Sequence, residues 1–303
     1  MIDWLLAVEG TAAGAKLALW LALLAAFLHA VFGALQKGRH DPWISRTVID
    51  AWLVVLSCPI AIFLVPWPEP YLWPILIGAI PIHFSYKLLQ AQAYSKGAYT
   101  VVYPVVRGTG PLFTVIGAYF IFGESFSIGQ WFGVFVLLSG IFGLAIYNLI
   151  FLATDRDTLL PALGLAVATG LFVALYTTYD AYGIRATQNP FTFLAWFFFL
   201  TALDFPLLFA VRPSLRRRLG ALTLQPLLLR GLAGALIAYG SFGAIMLATR
   251  LGQVGEAAVL RETSPVFAAL IGWLVLRETV GPRRVALMVL IALGAVVVEF
   301  AGS

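Results

Sequence analysis

The sequence predicts an all-α integral membrane protein of ten transmembrane helices, built as two inverted five-helix repeats. Three observations predict it: an extreme apolar composition, apolar stretches of membrane-spanning length, and an internal repeat with an odd number of spans. Of the 303 residues, 61% are apolar and 11% charged, and the mean hydropathy is +0.95. Soluble domains run at about 45–50% apolar and about 25% charged. One water-soluble core cannot hide this much apolar surface, which sets aside a soluble enzyme, a nucleic-acid binder and a disordered chain. The net charge of +5 then bears on loop orientation rather than on a nucleic-acid partner. The one cysteine, Cys58, lies in an apolar run, so no intrachain disulfide forms and a zinc cluster is not expected.

A helix needs about 20 mostly apolar residues to cross roughly 30 Å of hydrocarbon. Ten stretches qualify, numbered here as spans 1 to 10: 14–36, 42–66, 71–95, 99–122, 129–151, 159–182, 190–211, 225–249, 254–276 and 282–301. Asp41-Pro42 and Asn189-Pro190 place a polar cap and a proline at helix starts. The run PWPEP (66–70) is a rigid turn, and Lys96-Gly97, Gly123-Glu124 and Leu251-Gly252 are tight reversals. Only 212–223 forms a longer connection. Barrel strands would be about ten residues long and strictly alternating, unlike these uniform runs.

An offset of 154 positions aligns Arg107 with Arg261, Thr109 with Thr263, Pro111 with Pro265, Phe113 with Phe267, Glu124 with Glu278 and Gly140 with Gly294. Earlier in each half Pro42 pairs with Pro190 and Pro59 with Pro206. Residues 1–152 and 153–303 thus form two repeats of five spans. Five is odd, so the second repeat is inverted in the membrane. Inverted repeats are a common construction of secondary transporters, with the binding site near the midplane between them.

The odd-numbered connections hold twelve basic residues: Lys37, Arg39, Arg46, Lys96, Arg156, Arg212, Arg216, Arg217, Arg218, Arg277, Arg283 and Arg284. The termini and even-numbered connections hold Lys16, Arg185 and Arg250. By the positive-inside rule the odd connections are cytoplasmic and both termini lie outside.

Polar groups inside spans face cavities or partners. Span 3 carries His83, Tyr86, Lys87, Gln90 and Tyr94 in one helical stripe. Span 4 carries Tyr103, Arg107 and Pro111, each four apart, and span 6 carries Tyr176, Tyr179 and Asp180. Span 9 carries Glu256, Arg261, Glu262, Thr263 and Ser264; span 1 carries His29, and span 8 Tyr239 and Ser241. Spans 1, 3, 4, 6, 8 and 9 therefore surround a polar cavity. Spans 5 and 10, rich in glycine, pack outside it.

Arg107 and Arg261 lie deep in spans 4 and 9. A guanidinium there keeps its charge and needs a carboxylate, carbonyls, water or an anionic ligand. One reading is a clamp on a substrate carboxylate or phosphonate-like group; the other is an internal ion pair between Arg107 and Glu262. The candidate substrate-binding residues are Arg107, Tyr103, Arg261, Tyr86, Tyr94, Gln90, Tyr179 and Thr263. Candidate proton carriers are Glu262 and Asp180, because burial disfavours a charged carboxylate, together with His29 and His83. Pro111 and Pro265 each remove a helix hydrogen bond four residues after an arginine, either as hinges or as packing kinks.

The runs FLHAVFGALQK (27–37), AYSKGAYTVVYPVVRGTGPLFTVIGAYFIFGE (93–124) and VLRETSPVFAALIGWLVLRE (259–278) resemble the drug/metabolite transporter superfamily, in its ten-span EamA-type branch. The resemblance covers nearly the whole chain. It implies inverted five-helix repeats, a cavity between spans 1, 3, 4, 6, 8 and 9, and alternating-access transport, often export, of small metabolites such as amino acids. It also implies a bacterial inner-membrane location. Many members have a basic connection between spans 2 and 3 and a cytoplasmic N-terminus; here that connection is PWPEPY, without a basic residue. The function expected is secondary transport of an amino acid or other small carboxylate or zwitterion. The alternatives are a lipid flippase, an accessory membrane subunit or a membrane-embedded enzyme. No H-E-x-x-H, G-x-S-x-G or aspartate-rich diphosphate motif supports the enzyme. The expected partners are a small-molecule substrate and membrane lipid, with proton or ion coupling, no nucleic acid and no cofactor, in a monomer or homodimer.

Overall fold

The computed structural model describes residues 2–36, 41–96, 99–151, 159–219, 224–274 and 281–302. Lys37, Arg39, Gly97, Arg156, Arg277 and Glu278, named above, lie outside the described residues. All regular structure among those described is helical. Ten segments are long and apolar enough to cross a membrane: Ala12–Gly33, Trp43–Leu64, Pro70–Lys96, Val102–Phe122, Ile128–Phe151, Leu160–Ala186, Pro190–Val211, Gln225–Leu251, Val254–Leu274 and Pro282–Gly302. These are spans 1 to 10. A short helix, Ile2–Val8, precedes the first.

Local chemistry sets the helix ends. Asp41 Oδ1 accepts from the Trp43 N–H at 2.8 Å, and Pro42 opens the helix behind it. Asn189 Oδ1 accepts from the N–H groups of Phe191 and Thr192, with Pro190 in the same role. Each cap satisfies donors that the first helical turn leaves orphaned. Span 4 ends at Gly123, whose φ of 68° is the left-handed turn that glycine adopts without strain.

The interior departs from ten uninterrupted helices. Span 2 widens after Pro59 into a π-type turn over Ile60–Leu64. Span 7 is two helices, Pro190–Thr201 and Asp204–Val211. Span 9 is also two, Val254–Arg261 and Ser264–Leu274. Span 4 runs unbroken from Tyr99 to Phe122 through Pro104 and Pro111. Pro265 sits in the first turn of the second half of span 9, where its missing N–H is tolerated.

Spans 5 and 10 pack as a close pair. A Cβ on Gly133 would stand 2.7 Å from the Val298 nitrogen and 2.8 Å from the Gly294 carbonyl. Without side chains there the two backbones touch, which is how membrane helices associate when lipid offers no hydrophobic incentive. Buried apolar side chains of spans 1, 4, 5, 8, 9 and 10 form one core, which includes Leu137, Ile141 and Ile291. Spans 2, 3, 6, 7 and 8 form another around Phe193 and Phe197. The successive spans alternate in direction. One face therefore carries the termini and the even connections (the terminal face), and the other the odd connections (the basic face).

Candidate functional site

A small, partly open cavity lies between the repeats. Six spans line it: span 1 through His29, span 3 through Tyr86, Gln90 and Tyr94, span 4 through Tyr103, Val106 and Arg107, span 6 through Val173 and Tyr176, span 8 through Ser241, Phe242 and Ile245, and span 9 through Arg261. Spans 5 and 10 contribute none of these residues. The lining extends to Tyr94 and Tyr103, near the basic-face ends of spans 3 and 4.

Arg107 and Arg261 reach this cavity from opposite leaflets and share one carboxylate. Arg107 Nε lies 2.8 Å from Glu262 Oε2. Arg107 Nη2 donates to Ser264 Oγ at 2.7 Å and to the Arg261 carbonyl at 3.3 Å. Arg261 Nε stands 3.9 Å from Glu262 Oε1. The break in span 9 makes this arrangement. Pro265, four residues on, has no N–H to offer the Arg261 carbonyl, and at the interruption at Glu262–Thr263 that carbonyl and the Ser264 hydroxyl meet Arg107 of span 4. Glu262 is 1% exposed, so its ion pair is sealed behind the cavity wall. Two guanidiniums against one carboxylate leave the site with one net positive charge.

The rest of the wall is aromatic. Arg107 lies over the Tyr103 ring at 5.8 Å. Tyr86 and Tyr176 meet edge to face at 4.9 Å, and Gln90 Nε2 donates to Tyr86 Oη at 2.7 Å. Ser241 Oγ donates to the Ala25 carbonyl at 2.8 Å, which ties span 8 to span 1. His29 is half-buried and stacks against Phe32.

The remaining predicted residues lie elsewhere. Thr263 is buried at the span 9 break, where its hydroxyl donates to the Leu260 carbonyl at 2.8 Å. Tyr179 faces span 3 at Gly78, away from the cavity. His83 Nε2 lies 2.9 Å from Asp180 Oδ2, and its ring packs on Tyr176 at 4.8 Å and Phe197 at 4.9 Å. This pair stands one layer behind the wall. Pro111 lies buried in mid-helix. The single polar stripe of span 3 is thus divided. Tyr86, Gln90 and Tyr94 reach the cavity, while His83 joins span 6 and Lys87 joins spans 2 and 7.

Lys87 belongs to a buried cluster that the sequence leaves unassembled. Its Nζ donates to Asp50 Oδ2 at 3.0 Å, to Asp204 Oδ1 at 2.9 Å and to the Thr201 carbonyl at 2.7 Å. Arg46 Nε lies 3.0 Å from the same Asp50 oxygen. Two cations and two carboxylates balance at the break in span 7, and the freed Thr201 carbonyl completes the set. The only sequence signal was a set of ionisable groups in spans 2, 3 and 7, without a rule to say which meets which.

Ten spans in two halves around a polar cavity define a polytopic membrane protein of the inverted-repeat class. The chain belongs to the EamA-like transporter family, whose model matches it twice, over residues 16–146 and 160–300. It is therefore a multi-pass membrane protein of a transporter family within the drug/metabolite transporter superfamily. The uncharacterized protein y4nH of Sinorhizobium fredii (strain NBRC 101917 / NGR234) is 32% identical over 77 residues, which are 25% of this chain and 66% of that protein. A solved crystal structure, described simply as that of a protein, superposes with a TM-score of 0.74 at 18% identity. The match covers 94% of this chain and 97% of that one, and likeness at that identity concerns the fold.

Proposed function

We infer that the protein is a secondary transporter that moves a small carboxylate or zwitterion, such as an amino acid, by alternating access in the direction of export. The observation that carries this reading is the unbalanced charge at the cavity, where two guanidiniums share Glu262. An arriving carboxylate meets Arg261, the more loosely held of the two, and restores neutrality. Guanidinium suits this task because it stays charged and matches carboxylate geometry. Tyr86, Tyr94, Tyr103 and Gln90 face the body of the substrate, and Thr263 supports the break that presents the arginines. Glu262, between the guanidiniums, and His29, on the cavity wall, are the groups placed to carry a coupling proton. The His83–Asp180 pair is a reserve behind Tyr176. Pro265, at the start of a half-helix, is better placed than Pro111 to act as a hinge. The charge asymmetry supports a bacterial inner membrane with the basic face in the cytoplasm.

The test is thermal stability of the detergent-solubilised protein against amino acids, other carboxylates, phosphonates and organic cations. A ligand selective for the folded state adds about 2.7 kcal/mol at 100 times its dissociation constant. A carboxylate or zwitterion is expected to stabilise the wild type and to lose this effect in Arg261→Ala. Stabilisation by organic cations or by lipids alone would overturn the reading.

A further inference from the structure

On the terminal face, the ends of spans 6 and 8 hold each other through two arginines. Arg185, in the last turn of span 6, donates through Nε to the Thr249 carbonyl at 2.7 Å and through Nη2 to the Gly252 carbonyl at 2.7 Å, both at the end of span 8. Arg250, in the last turn of span 8, donates through Nη1 to the Ile184 carbonyl at 2.6 Å and the Thr187 carbonyl at 2.7 Å, both at the end of span 6. Each arginine thus satisfies the orphaned carbonyls of the other helix, where helix dipoles also favour a cation.

Two carboxylates bring three further segments into the same knot. Glu124, just after span 4, lies 3.2 Å from Arg185 Nη2. Its Oε1 accepts from the Val254 N–H at 2.8 Å and its Oε2 from the Gly255 N–H at 3.0 Å, which caps the start of span 9. Glu9, ahead of span 1, pairs with Arg250 Nε. The Arg185 guanidinium also covers the Phe122 ring at 4.6 Å. Spans 1, 4, 6, 8 and 9, five of the six that line the cavity, are therefore tied together at one end.

The position of the knot says what it does. The last cavity-lining residue of span 6 is Tyr176, and Arg185 lies nine residues, or about 13 Å, beyond it toward the terminal face. Ile245 of span 8 precedes Arg250 by five residues, or about 7 Å. At the opposite end the lining runs to Tyr94 and Tyr103, close to the basic face. We propose that Arg185 and Arg250, with Glu124 and Glu9, form a reciprocal clasp that closes the cavity toward the terminal face, and that its release opens the cavity to that side. The ligands exchanged are within the chain. A guanidinium leaves two carbonyls and a carboxylate, and water replaces it. The bonds are numerous enough to hold the state, and each ion pair has one member in reach of water: Arg185 at 29% beside Glu124 at 9%, and Glu9 at 32% beside Arg250 at 6%.

The clasp rests on the alternating-access reading, and its test needs no substrate. In a Cys58→Ser background, Ser241→Cys places a thiol on the cavity wall. A membrane-impermeant maleimide is then applied to oriented vesicles from each face. The parent is expected to react from the basic face and scarcely from the terminal face. Arg185→Ala with Arg250→Ala is expected to raise terminal-face labelling at least about tenfold, the scale of losing a charge-assisted hydrogen bond. Glu124→Gln, which keeps one acceptor oxygen and loses the charge and the second acceptor, is expected to give a smaller rise and serves if the double variant does not fold. Equal labelling of the parent from both faces, or no gain in a variant that still unfolds cooperatively, overturns the clasp. A positive result beside a failed ligand panel would leave the gate standing and remove the substrate reading; the reverse would leave the substrate site without this gate.

Discussion

A guanidinium eight residues into a membrane-embedded helix is held by partners from another element: the Glu262 carboxylate at 2.8 Å, the Ser264 hydroxyl and the Arg261 carbonyl. Removing one member of a buried ion pair strands the other. Glu262→Met, which leaves two buried guanidiniums without a carboxylate, is therefore expected to destabilise the protein by about 3–5 kcal/mol, and Arg107→Met by less, since Arg261 remains to balance Glu262. Denaturant unfolding of the two variants compares them; equal losses would mean that Arg261 does not share the carboxylate. The charges of this site were legible in the sequence because spans rarely tolerate them. The pairing of Arg107 with Glu262 was one of two open readings. His83 and Lys87 shared a stripe with the cavity tyrosines, but an apolar or polar face spans at least about 100°, wide enough to serve a cavity and a neighbouring helix at once. Where a stripe divides depends on which helix lies beside it at that depth.

At the scale of the element, spans 7 and 9 are each interrupted just ahead of a proline, Pro206 and Pro265. At Thr201-Ala202-Leu203-Asp204 and Arg261-Glu262-Thr263-Ser264 a missing proline N–H weakens the ladder, and a cation from span 3 or span 4 takes a freed carbonyl. Such breaks are tolerated in a membrane only where protein or a cavity satisfies the backbone. Pro111, equally a proline within a span, leaves span 4 continuous. A proline alone thus does not decide where a span breaks. Glycines in the spans are likewise of two kinds. Gly133→Ala would push a Cβ against span 10 backbone at 2.7 Å and is expected to cost about 1–3 kcal/mol. Gly164 has open space around its Cβ position, so Gly164→Ala is expected to be neutral or to stabilise by up to about 1 kcal/mol through helix propensity. Thermal unfolding of both variants compares them, and equal effects would mean that spans 5 and 10 do not pack through Gly133.

For the whole molecule, ten spans put both termini on one face, and the clasp changes the meaning of the charge count. Arg185 and Arg250, two of the three basic residues assigned to the terminal face, are bound to carbonyls and carboxylates. Lys16 is left as the one exposed basic residue there among the described residues. The terminal face thus offers fewer free basic residues than the sequence count, in keeping with the expectation of termini outside. A fluorescent protein fused after residue 303 is expected to stay dark and an alkaline phosphatase fusion to be active. The reverse pattern would place the basic face outside.

Composition and the length of its apolar runs determined that this chain lies in a membrane as ten helices, because burying backbone in lipid leaves few other solutions. The offset repeat determined that its halves are inverted, since five spans cannot return to their starting face. Family membership was legible for the same reason, in motifs that recur along the chain. The tertiary structure decided which charges meet and which prolines accompany a break in their span. Those outcomes depend on depth, rotation and the neighbour a side chain finds. A helical repeat of about 3.6 residues per turn fixes only the face a residue occupies, not what stands opposite it.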